Sequence, residues 1–183
     1  MSTLKTERGT GLLLVNAFVA AENAALVAPA LAPVLSELGR HYGAVVAHME
    51  PILFDFTDYY IAEMGSPLFK TLLAFERPFP REGLIAAKER CVAIEERLRV
   101  ESGQSGRRIN LDPGLLTLEN FVLATGKNRA HRIYLGRGVF AELTLLYRHG
   151  GDFSALPWTY ADYKDARVQA FLKSQRARLA RPA

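Results

Sequence analysis

The densest grouping of chemically capable side chains in the sequence is Lys127-Asn128-Arg129-Ala130-His131-Arg132. Three cations and an imidazole within six residues can hold a phosphate or carboxylate, Arg through its bidentate fork and Lys as a point charge. The segment enters a hairpin pattern. Residues 131–135 and 138–147 are apolar runs that flank Gly136-Arg137, and a glycine in the first of two loop positions predicts a type II′ turn. That register pairs Leu135 with Gly138, Ile133 with Phe140 and His131 with Glu142, and directly opposed residues share a face of the sheet. Glu142 is thus expected to orient the His131 imidazole for acid/base work. A surface ion-pair ladder would use the same residues, at only about 0–1 kcal/mol per pair.

Carboxylates supply a second chemistry. Phe54-Asp55-Phe56-Thr57-Asp58-Tyr59-Tyr60 sets two aspartates three residues apart, and Asp112 begins an Asp-Pro-Gly triplet. Such hard oxygen ligands suit Mg²⁺ or a similar divalent cation. The competing reading is structural. Thr57 or Asp58 can cap a short helix, and Thr159 and Asp162 in Trp158-Thr-Tyr-Ala-Asp-Tyr163 repeat the pattern.

Other chemistries are excluded by what their motifs require. A P-loop needs G-x-x-x-x-G-K-[ST], whereas here Phe121 stands at the first glycine and Asn128 at the hydroxyl. Gly136-Arg137-Gly138 joins two strands and lacks the third glycine of a dinucleotide fingerprint. His41, His48 and His149 have no zinc-motif spacing, and no G-x-S-x-G occurs. One cysteine among 183 residues rules out an internal disulfide framework, and Cys91 sits on an apolar helical stripe.

The elements that must position these groups follow from periodicity. Gly11 to Phe18 reads as a central strand covered on both faces. Leu31, Val34, Leu35 and Leu38 predict a helix ended by Gly43, and residues 45–54 a strand carrying Pro51. Residues 68–75 read as a third strand. Leu84, Ala87, Cys91, Ile94 and Leu98 predict a helix over 82–101, and residues 107–111 a fourth strand stopped by an Asp112-Pro113-Gly114 turn. The hairpin and a basic amphipathic helix over 162–180 complete the chain. The order β-α-β-β-α-β is that of a ferredoxin-like split unit, so the expected fold is α+β with a mainly antiparallel sheet. A single domain over 1–183 is expected, with 1–9 flexible. The apolar run after the polar N-terminus is too short for a membrane helix, so a cytoplasmic protein is expected. The net charge of +4 divides into −2 for residues 1–100 and +6 for 101–183. This excess can attract anionic partners, although a solvated helix face gives the same count.

Several segments resemble the bacterial family catalogued as domain of unknown function 4416. They are residues 54–60 with Glu63-Met-Gly65, Arg108 to Gly114, Leu123 to Gly136, and Trp158 to Tyr163. Leu115 and Ala161 stand where the family commonly has Tyr and Pro. Members are often labelled GTP-binding proteins, a label that the failed P-loop match does not support by the usual mechanism. The resemblance implies that the flagged groups share one polar pocket. Lys127, Arg129, Arg132 and Tyr59 would then bind a small phosphate- or carboxylate-bearing ligand such as a nucleotide. His131 and Glu142 would do acid/base work, and Asp55, Asp58 and Asp112 would hold an optional metal. The alternative is a non-catalytic protein whose C-terminal helix docks on RNA, an acidic protein or a second copy.

Overall fold

Eleven residues, Thr10–Ala20, form β1, and all but the first are buried. Its apolar side chains alternate between two helical layers, so one strand serves two cores. Leu13, Val15, Ala17 and Val19 face helices α1 (Val27–Tyr42) and α3 (Leu84–Ser102), while Leu12 and Leu14 face helix α4 (Ala166–Leu179). The computed structural model describes residues 10–148 and 150–180. The expectation of flexibility for residues 1–9 lies outside these, as does His149.

The remaining strands are β2 (Val45–His48), β3 (Ile52–Leu53), β4 (Leu68–Pro80), β5 (Ile109–Leu116), β6 (Asn120–Thr125), β7 (Arg132–Gly136), β8 (Val139–Tyr147) and β9 (Phe153–Ala155). They form one antiparallel sheet in the order β2-β4-β1-β5-β6-β8-β7, with β3 beside β4 and β9 beside β8. The fold is α+β, as the periodicity predicts. A short helix, α2 (Ile61–Met64), follows β3. Among the described residues no helix is long and apolar enough to cross a membrane.

Five local expectations need correction. The expected strand over 45–54 is two strands, broken at Met49-Glu50-Pro51, where proline cannot donate to a ladder. The segment 120–125, read as no element from sequence, is β6.

Asp112-Pro113-Gly114 is not a turn but the interior of β5. Leu111 turns its backbone groups away from β1, its N–H donating to Glu95 Oε1 and its carbonyl accepting from Lys88 Nζ. Backbone groups alternate sides along a strand, so Pro113 presents its missing N–H to that same open side and no ladder bond is lost. Gly114 is required by packing, since a Cβ there would lie 2.5 Å from the Phe121 ring.

The hairpin turns at Arg137-Gly138, one residue later than expected. Both have positive φ, 50° and 76°, which is the type I′ pattern and not II′. The later turn shifts the pairing by two residues and a bulge between Tyr134 and Gly136 takes back one, so Arg132, not His131, stands opposite Glu142.

The C-terminal helix begins late, because 161–164 form a 3-10 turn and Asp165 is the cap, its Oδ1 accepting from the Arg167 N–H at 2.8 Å. Arg167 holds the Asp165 carboxyl down at about 2. A depressed carboxylate contributes stability that is complete above its unfolded pKa of about 3.9 and is lost as pH falls through the folded value. Asp165→Asn keeps an acceptor at the cap. Its deficit in melting temperature relative to wild type should therefore be constant above about pH 5 and vanish towards pH 2. An undiminished deficit at pH 2 would contradict this account.

Candidate functional site

The sheet divides where β5 meets β6. These strands pair only over Gly114–Leu116 with Phe121–Leu123; beyond this, Ala124 and Thr125 pair with β8 alone, and Ile109–Pro113 with β1 alone. The V between them opens into a cleft of about 680 Å³, a size usual for small-molecule sites. Helix α3 forms one side and the 160–163 segment another. The third wall is aromatic. Phe18 stacks on Tyr60 at 5.2 Å between ring centroids and meets Phe54 edge-on at 4.5 Å.

Charged groups line the cleft in matched pairs. On α3, Lys88 and Glu95 are seven residues apart and so share a face. Lys88 Nζ donates to Asp112 Oδ1 at 2.7 Å, and Asn110 Nδ2 to Asp112 Oδ2 at 2.8 Å. Burial opposes both charges, but Asp112 and Glu95 hold the Lys88 ammonium above its usual range, and Lys88 holds Asp112 below its own. Arg107 pairs with Glu95 and makes a fork to Glu63 at 2.6 and 2.9 Å. Burial raises Glu95 despite Lys88 and the Leu111 N–H. Gly106 permits the approach of that loop, since a Cβ there would fall 1.9 Å from the Glu63 carbonyl oxygen.

Behind the floor, Lys70 is fully buried, bonded to Asp162 and lying 3.6 Å from the centroid of the Tyr163 ring. Burial pulls the Lys70 ammonium below its usual range, and Asp162 opposes the shift. Burial also pushes the phenols of Tyr60 and Tyr163 well up.

The segment that drew attention in the sequence splits in two. Arg132 is engaged by protein: its guanidinium meets Glu142 Oε2 at 2.6 and 2.8 Å, the Lys127 carbonyl at 2.8 Å and the Tyr160 hydroxyl at 2.9 Å. His131 Nε2 approaches Glu142 Oε2 at 3.2 Å despite the shifted register, and its ring stacks on Trp158 at 5.1 Å. It does not line the cleft. Lys127 and Arg129 do. Lys127 Nζ donates to the Tyr59 hydroxyl at 2.7 Å and pulls that phenol down. Neither Lys127 nor Arg129 has a carboxylate partner among the described residues.

The three aspartates proposed for a metal are not gathered. Asp55 and Asp58 are exposed and off the cleft, whereas Asp112 is in it. Among the described residues no three His, Cys, Asp or Glu side chains are grouped to hold an ion. The capping account of these segments also changes. Thr57 closes a local turn onto the Tyr59 N–H at 3.2 Å, and Thr159 pins its loop to the Thr144 carbonyl at 2.6 Å, while Asp162 is taken by Lys70. The residues that sequence reasoning passed over are Asn16, Lys70, Lys88, Glu95, Arg107 and Tyr163. For two of them a signal existed, since Asn16 is the one polar side chain in the run 11–20 and Lys70 the one charge in the run 68–75.

Fold and cleft together define an α+β protein whose antiparallel sheet parts around a charge-paired cavity. The chain belongs to the family described as Domain of unknown function (DUF4416), whose model matches residues 12–179. No curated protein and no solved structure matches it.

The buried pair supplies a stability test. Asp162→Asn leaves Lys70 without its counter-charge and should cost about 3–5 kcal/mol in denaturant unfolding, whereas Lys70→Met with Asp162→Leu should cost far less or stabilise. Equal losses in the two variants would argue against the pairing.

Proposed function

We propose that the chain binds a small phosphate- or carboxylate-bearing ligand, a nucleotide among the candidates, with its anion between Lys127 and Arg129 at the cleft. The observation that carries this is the charge pairing. The other lining cations, Lys88, Arg107 and Arg132, are each committed to a carboxylate, while Lys127 and Arg129 are not. An anion placed there gains attraction without breaking an existing pair. The aromatic wall offers a flat surface for a ring on the same ligand.

In this reading Arg132 supports the site from behind, by holding the Lys127 carbonyl and the Tyr160 hydroxyl in place. His131 and Glu142 remain a candidate acid/base pair on their 3.2 Å separation. No metal enters the proposal. The strand order β2-β4-β1-β5, with α1 and α3 over one face, supports reading that part of the chain as a ferredoxin-like split unit. Docking through the terminal helix is the weaker reading, because Arg167, Lys173, Arg176 and Arg178 all have local partners.

A ligand that binds only the folded state raises its stability, by about 2.7 kcal/mol at a hundredfold excess over Kd. Thermal unfolding with inorganic phosphate, sugar phosphates and nucleotides should therefore show an upward shift for at least one class. Lys127→Ala with Arg129→Ala should abolish the shift while leaving the unliganded melting temperature within about 2 °C, as expected for exposed side chains. A shift that survives the double substitution would place the anion elsewhere.

A further inference from the structure

We propose that the inner end of the cleft reads an uncharged, planar donor–acceptor edge on the ligand, such as an amide, lactam or nucleobase presents, through Asn16 and Tyr163. The ligand then enters with this edge first and its anion last. This rests on the anion-binding reading above and adds a direction and a chemical class to it.

Asn16 and Tyr163 both line the cleft and are each 2% exposed. The Asn16 carbonyl oxygen and the Tyr163 hydroxyl are nonetheless without a hydrogen-bond partner. Buried polar groups are nearly always paired, so two such atoms at one cavity require an explanation. The neighbours explain why the protein itself does not pair them. Asn16 stands directly opposite Asp112 in the β1–β5 ladder, but both Asp112 oxygens are taken, by Lys88 and by Asn110. Likewise Asp162, beside Tyr163, is bonded to Lys70.

The chemistry of the missing partner follows from its surroundings. At this end of the cleft each charge has its counter-charge, so a charged head group would bring an unmatched charge into a region shielded from water. A neutral polar group adds none. The Asn16 amide carries a donor and an acceptor, and a turn about its soft terminal torsion presents either, which suits a group that also carries both. Phe18, Phe54 and Tyr60 beside it favour a planar ring, which gains from stacking what a sugar or chain would not.

The test compares probes that share an anion but differ in the inner edge. Calorimetric titration would use the four ribonucleoside monophosphates, ribose 5-phosphate, which lacks the ring, and phenyl phosphate, which lacks the edge. At least one nucleotide should bind about tenfold or more tightly than both reference phosphates. Asn16→Leu and Tyr163→Phe should each reduce that advantage while leaving ribose 5-phosphate affinity unchanged. Both variants should melt at or above the wild-type temperature, because each removes an unpaired buried polar atom. Tyr163→Phe deletes a single oxygen and so keeps the test available if the Asn16 variant fails to fold. If ribose 5-phosphate binds through Arg129 but no nucleotide advantage exists, or the advantage survives both substitutions, the inner-edge reading falls and the anion reading stands. If no phosphate binds, both fall.

Discussion

The structure turns on how the protein satisfies the backbone of Leu111. When β6 leaves β5 after a short ladder, the N–H and carbonyl of Leu111 lose the strand that would have paired them. A buried strand edge cannot be left bare, because each unmade backbone bond costs the full desolvation of its group. Glu95 and Lys88, two turns apart on α3, take the place of the missing strand. Once a carboxylate and an ammonium are committed there, the other charges follow as compensation: Asp112 for Lys88, and Arg107 with Glu63 for Glu95. The sheet can part, and the cleft can exist, only with these side chains in position.

Such an arrangement is an expensive way to hold a fold together. Apolar residues of similar volume would often serve stability as well as buried ion pairs or better. Here the pairs cluster around a single cavity and leave two buried polar atoms unmatched beside it. Local rules of packing and polar satisfaction are broken together and in one place, as happens where a protein keeps a site instead of a tighter core. The same pairing sorts the cations that line the cleft: Lys88, Arg107 and Arg132 each meet a carboxylate, and the unmatched positive charge there is concentrated on Lys127 and Arg129.

Much of the architecture was legible beforehand. The apolar run of β1 announced a strand buried on both faces, and the seven-residue recurrences of Leu84, Cys91 and Leu98 announced α3 with its cysteine inside. The failures were at residues whose local preference is overruled by what lies across from them. Asp-Pro-Gly is a turn signal, yet it runs straight in β5 because the proline faces a gap and the glycine accommodates Phe121. In the hairpin a turn one residue later than expected, half offset by a bulge, put Arg132 in the position expected for His131, a one-residue effect that periodicity does not detect. Of the site, the sequence exposed the rim, where cations are clustered along the chain, and hid the floor, whose members come from β1, β4, β5 and α3.

By itself, then, the sequence determined β1, α1 and α3, the α+β class and the presence of an anion-attracting segment, because period, propensity and charge density are properties of neighbours in the chain. Tertiary structure alone decided which cations remain available and what faces the inner end of the cleft. Arg132 and Lys127 are five residues apart and chemically alike, but one lies against Glu142 and the other does not. Availability is set by the partner each charge meets across the fold, and that partner is fixed by how strands from distant parts of the chain come to lie side by side.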